Sequence, residues 1–547
     1  MKQAVLKVHK KDNVLVALRN LTKGDQVAYD GNSYVLVDDV PAKHKFVTNL
    51  LQPGDEVIMY GVLVGKAVSA IPVGARITTE NVKHAAEPYD YRHIDFQWHA
   101  PDVSKFKNRT FNGYHREDGS VGTANYWLFI PTVFCENRNL DVIKEALHNE
   151  LGYAVADRYK QFASLLKEAI ANDQSIDDLS VLDLQPQHSK KRFFENVDGI
   201  KFLNHQGGCG GIRQDAAVLG KLLAAYANHP NVGGITVLSL GCQNLQVNDF
   251  LNDLKSQNKD FNKPLYIFEQ QQSVSEEQLI SDAIKKTFEG LKQINQLKRA
   301  PATLDKLCLG VKCGGSDGFS GISANPSVGY CSDLLVGLGG KVLLAEFPEL
   351  CGVEQELVDR TVSEPLARKF MHLMKSYEAS VTAVGSGFHM NPSPGNIKDG
   401  LITDAMKSAG AARKGGTSPV VDVLDYTEKA TKPGLSLVCT PGNDVEATTG
   451  KAASGATLIL FTTGLGTPTG NPICPVIKVS TNSQLTKRMN DIIDIDCGPV
   501  VDGEKTIEQM GEEILEYCIK AASGEIIPKA VQLNQDDFIP WKRGVSL

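Results

Sequence analysis

Residues 199–243 read GIKFLNHQGGCGGIRQDAAVLGKLLAAYANHPNVGGITVLSLGCQ, and this stretch decides the fold class. Two apolar runs, 198–206 and 234–242, have the length of buried strands, and residues 215–229 between them have the apolar spacing of a helix. A strand, a helix and a second strand in this order favour a parallel pair, because parallel strands need a long crossover between them. The sequence therefore predicts an α/β fold with mostly parallel sheets.

The same alternation extends outward from this stretch over most of the chain. From about residue 108, further strands are predicted at YWLFIPTVFC, PLYIFEQ, LCLGVKCG and KVLLAEF, with helices at 139–170 and 275–297. A second series after Asn391 has strands at PVVDVLDY, GLSLVCTPG, ATLILFTTG and VIKVSTN, and a closing helix. We place the boundary between two α/β lobes near residue 390, which gives a catalytic domain at 108–390 and a C-terminal domain at 391–547.

The first 88 residues follow a different pattern, in which short segments alternate apolar and polar residues. AVLKVH, NVLVAL, SYVLVDDV and EVIMYGVLVGKAV are separated by turns such as Gly24-Asp25 and Pro53-Gly54-Asp55. Period-two alternation with turns of this kind predicts a small all-β domain at 1–88. Residues 89–107 have neither period, and we interpret them as a linker that packs against its neighbours.

Composition disfavours several classes of protein. The chain has 547 residues, of which 42% are hydrophobic and 22% charged, as in a soluble protein of several domains. Its 57 basic and 64 acidic residues are scattered, which disfavours nucleic acid and membrane as partners. No apolar run approaches the roughly 20 residues that span a bilayer, and the N-terminus lacks the apolar segment of a signal peptide. We expect a cytoplasmic protein, and the sequence leaves a homo-oligomer open.

Four of the eleven cysteines end a predicted strand or follow one closely: Cys135, Cys209, Cys242 and Cys313. Open parallel sheets bind ligands beyond the carboxyl ends of their strands, so these thiols can converge on one site. The chain around them is polar and rich in glycine, whereas a structural cysteine prefers an apolar setting. We interpret at least three of them as iron ligands, iron-sulfur ligands or reactive groups, with buried structural thiols as the alternative.

A second candidate metal site lies in the N-terminal domain. His9 closes the first predicted strand, His44 lies in a turn, and Glu80 follows the strand ARIT. Two imidazoles and a carboxylate leave open positions on Fe²⁺ or a similar ion, although a single histidine is more often a hydrogen-bonded bystander.

The glycine-rich stretch at 464–470 invites a nucleotide-binding interpretation. Its spacing fits neither a dinucleotide fingerprint nor a P-loop, so we expect no nicotinamide cofactor. A loop that binds carboxylate or hydroxyl groups through backbone N–H is the better interpretation.

Together these motifs resemble the altronate and galactarate dehydratase family over nearly the whole chain. The matching segments include Lys43-His44-Lys45-Phe46, His205 with Gly208-Cys209, Cys313-Gly314-Gly315-Ser316-Asp317-Gly318, Asn391-Pro392-Ser393-Pro394-Gly395-Asn396 and Pro441-Gly442-Asn443-Asp444. The resemblance implies a SAF domain of β-clip fold, followed by a two-lobed α/β catalytic region. It also implies a metal-dependent hydro-lyase that converts D-altronate to 2-dehydro-3-deoxy-D-gluconate and water, with Fe²⁺ or Mn²⁺, or an iron-sulfur cluster, as cofactor.

The resemblance and the chemistry of dehydration together assign candidate roles, because a polyol needs polar side chains and a poor leaving group needs a Lewis acid. The catalytic candidates are His205, Cys209, Cys242, Cys313 and Asp317. The substrate-binding candidates are Asn125, Ser316, Asn325, Asn391, Asn396, Asn443, Asp444 and Thr467. The metal-binding candidates are His9, His44, Glu80, Cys135, Cys209, Cys242 and Cys313.

Two positions depart from the family pattern. Ala124 stands before Asn125 where the family usually has Arg, and Glu80 stands where the family usually has His. The substrate can therefore be a related sugar acid such as galactarate, or a sulfonated hydroxy acid. An iron-sulfur oxidoreductase and a sugar-acid-binding protein without catalysis are the alternatives from other classes.

Overall fold

The computed structural model describes residues 3–155, 158–184 and 191–546. Residues up to 85 form an all-β domain of short antiparallel strands, in sheets ordered β1-β2-β5, β3-β4 and β6-β7-β8. The strands are β1 (Val5–Leu6), β2 (Val14–Ala17), β3 (Gln26–Tyr29), β4 (Asn32–Val35), β5 (Lys45–Val47), β6 (Glu56–Met59), β7 (Val62–Ala67) and β8 (Val82–Lys83). The predicted N-terminal β domain is confirmed.

Residues 89–103 contain no helix or strand, and the chain here lies against the C-terminal domain. Arg92 forms an ion pair with Asp359, and Trp98 Nε1 donates to Thr417 Oγ1 at 3.2 Å. Phe106 is buried. The segment is therefore held in place by side-chain contacts.

The middle domain is built on a four-stranded parallel sheet of order β12-β11-β13-β14, beside an antiparallel sheet of order β10-β9-β15. Its strands are β9 (Thr110–His115), β10 (Val121–Gly122), β11 (Tyr126–Pro131), β12 (Gly199–Phe202), β13 (Val232–Ser239), β14 (Leu265–Glu269) and β15 (Ala300–Thr303). Its helices are α1 (Asn137–Leu151), α2 (Arg158–Ala171), α3 (Arg213–Asn228), α4 (Val247–Gln257) and α5 (Glu276–Ile294). The helix predicted at 139–170 is divided, because Gly152 ends α1 in the left-handed region with φ of 79°.

The C-terminal domain is built on a seven-stranded parallel sheet of order β18-β19-β17-β16-β20-β21-β22. Its strands are β16 (Cys308–Cys313), β17 (Lys341–Ala345), β18 (Val420–Leu424), β19 (Gly434–Val438), β20 (Leu458–Thr463), β21 (Val476–Ser480) and β22 (Ile495–Asp496). Its helices are α6 (Ala324–Gly337), α7 (Glu354–Asp359), α8 (Glu364–Ala383), α9 (Pro394–Lys398), α10 (Asp404–Ala412), α11 (Asp444–Ala453), α12 (Ser483–Arg488), α13 (Gly498–Val501), α14 (Ile507–Ala522) and α15 (Lys529–Gln532). The predicted α/β class with mostly parallel sheets is confirmed.

Both faces of this sheet are covered by helices. Leu458 and Leu460 of β20 pack into one core with α6 and α14, whereas Ile459 and Phe461 pack into another with α3 and α11. Strands buried on both faces carry continuous apolar runs, which explains the sequence of these segments.

The sheets divide the two α/β domains at a different place from residue 390. β16 and β17 precede that residue, yet they lie in the centre of the seven-stranded sheet, where β16 pairs with β20 and β17 pairs with β19. The change from one sheet to the next lies between β15 and β16. Local alternation could not reveal this, because it is alike in both domains and the pairing partners are distant in sequence.

Candidate active site at the edge of the seven-stranded sheet

The chain changes direction across the seven-stranded sheet beside β16. After β16 the strands fill one side of the sheet as far as β19, and from β20 onward they fill the other side. Ligands of open α/β sheets bind at such a point, beyond the carboxyl ends of the strands. Lys312 and Cys313 end β16 here, and Glu346 follows β17 directly.

Charged side chains with almost no solvent exposure meet at this edge. We name Lys312, Glu346, Glu349, Lys407, Lys414 and Lys451 the lysine–glutamate cluster; their side-chain exposure ranges from 0 to 9%. Charges are almost never buried this deeply unless they are paired, so each of them has oppositely charged neighbours.

The pairing within the cluster is close. Lys407 Nζ lies 3.0 Å from Glu349 Oε1, and Lys414 Nζ lies 3.7 Å from Glu346 Oε2. Lys312 forms an ion pair with Glu346 and lies 2.8 Å from Asp444 Oδ1. These ion pairs therefore join the end of β16 and the loop after β17 to the first turn of α11.

Cys313 adds a thiol to the cluster. Its Sγ donates to Glu349 Oε2 at 3.5 Å and accepts from Lys414 Nζ at 3.2 Å. Ligand atoms of Cys313, Glu346 and Glu349 lie within 4.8 Å of one another. In the described part of the chain, no other set of three or more His, Cys, Asp or Glu residues brings its ligand atoms this close together. Glu346 Oε2 is buried without a hydrogen-bond partner. One sulfur and two carboxylates fit a borderline divalent ion such as Fe²⁺.

The surroundings shift the pKa values of these groups in opposite directions. Burial lowers the pKa of Lys451 to about 8, although Glu346 opposes the shift. Burial, followed by repulsion from Glu349, raises the pKa of Glu346. Burial also disfavours the charge of Glu349, but the ammonium groups led by Lys407 outweigh it and hold the pKa of Glu349 well below its usual range. Lys451 and Glu346 are therefore the pair closest to exchanging a proton.

The N-terminal β domain reaches the same region through Lys43. Its Nζ lies 3.0 Å from Asp317 Oδ2 and 3.0 Å from Asp399 Oδ1. A Cβ at Gly318 or Gly400 would lie 2.5 Å from the carbonyl oxygen of Lys43, so glycine is needed for this approach. The loop after β16 is thus held from both sides, by its own domain and by the first one.

Several predicted substrate-binding residues lie in this region. Asn391 Oδ1 accepts from Lys407 Nζ at 2.8 Å, and Asn396 Nδ2 donates to the carbonyl of Ser316 at 2.7 Å. The Ser316 hydroxyl is buried without a partner. A Cβ at Gly315 would lie 2.7 Å from Thr467 Oγ1. Ser316, Asp317, Asn391 and Thr467 lie in loops, whereas Asn396 lies in α9 and Asp444 in the first turn of α11.

Three other predicted substrate-binding residues have structural roles. Asn125 lies at the opposite, amino end of β11 and donates to the carbonyls of Asn196 and Ile294. Asn325 Nδ2 donates to the Gly410 carbonyl, and Asn443 caps α11 by accepting from two backbone N–H groups. These side chains hold backbone segments together and leave little capacity for a substrate.

The predicted triad of His9, His44 and Glu80 is not brought together within 4.8 Å. His44 Nε2 hydrogen bonds to the Lys398 carbonyl at 3.0 Å, and His9 Nδ1 accepts from Lys11 N at 3.2 Å. Each imidazole has a local partner, and Glu80 is exposed. The positions of His9, His44 and Glu80 at predicted strand ends and in a turn therefore did not indicate that their side chains lie close together.

The remaining predicted residues belong to the middle domain. Cys135, Cys209 and Cys242 lie at the carboxyl edge of the four-stranded sheet, and Cys313 lies on the other sheet. His205 Nε2 donates to the Pro131 carbonyl at 2.8 Å, and its Nδ1 accepts from Gly207 N at 3.0 Å. Burial lowers the pKa of His205 to about 4, so the imidazole is neutral, and these two hydrogen bonds occupy both of its ring nitrogens.

The sequence prediction missed the lysines and both glutamates of the cluster. Lysine is almost never fully buried, so one within an apolar helix or strand is a signal that could have been used. Lys312 interrupts the apolar run LCLGVKC, and Lys407 lies in the small-residue helix DAMKSAGAA.

Three protein-family models match consecutive parts of the chain. Residues 3–85 match the altronate/galactarate dehydratase SAF domain, and residues 113–295 match the D-galactarate dehydratase/altronate hydrolase second domain. Residues 304–546 match the D-galactarate/altronate dehydratase C-terminal domain. The three ranges contain the strands of the N-terminal β domain, of the four-stranded sheet and of the seven-stranded sheet, respectively.

Curated relatives align over nearly the full length. Altronate dehydratase of Bacillus subtilis (strain 168) is 33% identical over 552 residues, which cover 100% of both chains. Altronate dehydratase of Escherichia coli (strain K12) is 33% identical over 555 residues and 99% of both chains. Galactarate dehydratase (L-threo-forming) of the same strain is 31% identical over 527 residues, 95% of this chain and 93% of the relative.

No helix in the described part of the chain is long and apolar enough to cross a bilayer.

Proposed function

The chain belongs to the D-galactarate/altronate dehydratase family and is a hydro-lyase, and on that premise we propose that it dehydrates D-altronate to 2-dehydro-3-deoxy-D-gluconate. The observation that carries the proposal is the charge of the lysine–glutamate cluster. With Lys451 uncharged as a proton acceptor, three ammonium groups face three carboxylates: Lys312, Lys407 and Lys414 against Glu346, Glu349 and Asp444. A divalent ion bound beside them would add the positive charge that suits the single carboxylate of a hexonate.

The count of charges favours a monocarboxylate over galactarate, which carries two carboxylates. At the same edge, Lys43 is matched by Asp317 and Asp399, each 3.0 Å away, and Lys45 donates to the Gly400 carbonyl at 2.7 Å. A second substrate carboxylate would therefore meet ammonium groups there that already have partners within the protein. Burying an unpaired charge is costly, so this arrangement would discriminate against a diacid.

We propose that Cys313, Glu346 and Glu349 hold Fe²⁺ or Mn²⁺. The three ligand atoms are already close, and Glu346 Oε2 has no hydrogen-bond partner. When bound, the ion would supply Lewis acidity at the hydroxyl that leaves from C3.

The side chains of the cluster supply binding, charge and proton transfer. Lys407 is the most exposed of its ammonium groups, and we assign it to the substrate carboxylate. Negative charge develops on that carboxylate as the C2 proton is removed, and the fixed ammonium groups of the cluster stabilise it.

The C2 proton needs an acceptor, and we assign this role to Lys451 with Glu346 beside it. The two side chains lie 3.8 Å apart, and neither Lys451 Nζ nor Glu346 Oε2 has a hydrogen-bond partner. Burial lowers the pKa of Lys451 to about 8, so a neutral amine is accessible near physiological pH.

A panel of sugar acids tests the proposal. Purified protein loaded anaerobically with Fe²⁺ is incubated with D-altronate, galactarate and a sulfonated hydroxy acid, and release of a 2-keto-3-deoxy acid is measured without an electron acceptor. We expect turnover of D-altronate in preference to the others. Binding without product, or product only with an electron acceptor, would show that the protein is not this hydro-lyase.

A further inference from the structure

A cavity lies between the N-terminal β domain and the C-terminal domain. Its volume is about 270 Å³, and the N-terminal domain contributes Tyr60 and Val62 to its wall. The rest of the wall comes from α6, α7, α10, the residues that follow α10, and α14. Of the residues that the structure describes, those that line the cavity include no member of the lysine–glutamate cluster. The volume is near the lower end of the range for small-molecule sites, so it suits a ligand of metabolite size.

Arg413 supplies a positive charge in this wall. It follows α10 directly, and its guanidinium carbon lies 5.2 Å from the centre of the Tyr60 ring. In the part of the chain that the structure describes, Arg413 forms no ion pair and its side chain donates no hydrogen bond. A half-buried guanidinium without a counter-ion favours an anion, because partial burial leaves less water to stabilise its charge.

Both carboxylates in the wall are already bonded to other groups. Asp333 accepts from the backbone N–H groups of Thr417 and Ser418 and from the Thr417 hydroxyl, at distances between 2.8 and 3.0 Å. Glu356 forms an ion pair with Arg360 at 3.3 Å. Neither carboxylate bonds to Arg413, so the guanidinium N–H groups are available to a ligand.

Tyr60 adds a hydroxyl group to the wall. The residue is only 8% exposed, and its hydroxyl has no hydrogen-bond partner among the described residues, although buried polar groups normally have one. A Cβ at Gly321 would lie 2.4 Å from this hydroxyl, so glycine in the loop after β16 leaves room for it. The backbone of Tyr60 is in the left-handed region, with φ of 58°. Such a conformation is uncommon for a bulky residue and is often found at ligand-binding sites.

We propose that this cavity binds a small oxyanion that also carries hydroxyl groups, with Arg413 paired to the anion and the Tyr60 hydroxyl donating a hydrogen bond to it. A hydroxy acid and a phosphorylated sugar share this chemistry. The site is separate from the proposed dehydration site and does not depend on the reaction assigned there. The bound anion would join two domains, because Tyr60 belongs to the N-terminal domain and Arg413 to the C-terminal domain.

The test is isothermal titration calorimetry of the full chain with D-gluconate and, separately, with inorganic phosphate. We expect at least one of these anions to bind and to raise the thermal midpoint, because a ligand that binds only the folded state stabilises it. Binding of D-gluconate alone identifies the ligand as a carboxylate, and binding of phosphate alone identifies it as a phosphoryl compound.

Two variants remove the proposed contacts. Arg413→Gln should weaken binding by at least about tenfold, because charge-assisted hydrogen bonds are lost. Tyr60→Phe should weaken binding several-fold without lowering the thermal midpoint, because the hydroxyl has no partner within the described protein to lose. Arg368→Gln, at an exposed arginine of α8, is the matched control and should bind the anion as the wild type does.

Lys407→Met distinguishes this site from the dehydration site, because it removes the ammonium group assigned to the substrate carboxylate. Binding of the anion should persist in this variant, and circular dichroism establishes that each variant is folded. Three results would overturn the inference: neither anion binds the wild type, folded Arg413→Gln binds with unchanged affinity, or binding is lost in Lys407→Met but kept in Arg413→Gln.

Discussion

The carboxyl edges of the two parallel sheets differ in how their reactive side chains meet solvent. At the seven-stranded edge, lysines and glutamates are almost completely buried and paired with one another. At the four-stranded edge, three cysteines are exposed on glycine-rich loops. Burial shifts the pKa values of charged groups, whereas exposed thiols remain accessible to solvent. The carboxyl edges of the two parallel sheets therefore present different reactive groups.

The largest expected effect comes from removing the proposed proton acceptor. Lys451→Met should lower kcat by about 10²–10⁴-fold with little change in substrate affinity, because general base catalysis contributes about that much. In the wild type, kcat should rise with pH and level off above about pH 8, as Lys451 loses its proton. Steady-state kinetics of the variant and of the wild type between pH 6 and 9 measure the loss of kcat and its pH dependence.

The matched control is Lys263→Met, in the middle domain. Lys263 is half-buried, and desolvation of its ammonium group holds its pKa well below the usual value, but it donates to the Ala227 and His229 carbonyls. We expect the control to lower the thermal midpoint and to keep the pH dependence. If both variants give the same pH profile, Lys451 is not the base.

A smaller effect is expected at the contact between the N-terminal domain and the site. Lys43→Ala leaves Asp317 buried without its ammonium partner, so kcat/KM should fall by about tenfold through displacement of the loop after β16. Lys66→Ala, at an exposed lysine of the same domain, should have no effect. Equal kcat/KM values for the two variants would show that the contact of Lys43 with Asp317 does not contribute to catalysis.

The N-terminal β domain and the fold class could be predicted from the sequence, because the alternation of apolar residues indicates whether a segment has one or two buried faces. Which strands share a sheet could not be predicted from the sequence. β16 and β20 pair across more than a hundred residues, so the assignment of Cys313 to a different sheet from Cys209 had no local signal. The motif residues Ser316, Asp317 and Asp444 were predicted because they lie in polar segments that follow predicted strands. The lysines of the cluster were missed because lysine is normally a surface residue.

A still smaller effect is expected at Ser316, whose hydroxyl is buried without a partner. Ser316→Ala should raise KM for the sugar acid several-fold, because the variant lacks the Ser316 hydroxyl that would hydrogen bond to a hydroxyl group of the substrate. The thermal midpoint should stay the same or rise, since no hydrogen bond within the protein is broken. Steady-state kinetics and thermal unfolding test the two statements separately. A fall in the midpoint with unchanged KM would assign the hydroxyl to stability alone.

The smallest effect is expected at Glu80 in the N-terminal domain. Glu80→Ala should leave the amount of bound metal and kcat within about twofold of the wild type. This side chain is exposed, and the ligand atoms of Glu80, His9 and His44 do not all lie within 4.8 Å of one another. Loss of metal in this variant would restore the triad that the sequence suggested.

The most direct test of the central claim compares two buried glutamates of the C-terminal domain. Glu349 belongs to the cluster, whereas Glu354 accepts from Gly352 N, and burial raises its pKa to about 7. The measurement is kcat/KM for D-altronate in Glu349→Gln, Glu354→Gln and Cys209→Ser. We predict a loss of at least about 100-fold in the first variant only. Activity retained in Glu349→Gln but abolished in Cys209→Ser would contradict the account and move the dehydration site to the four-stranded sheet.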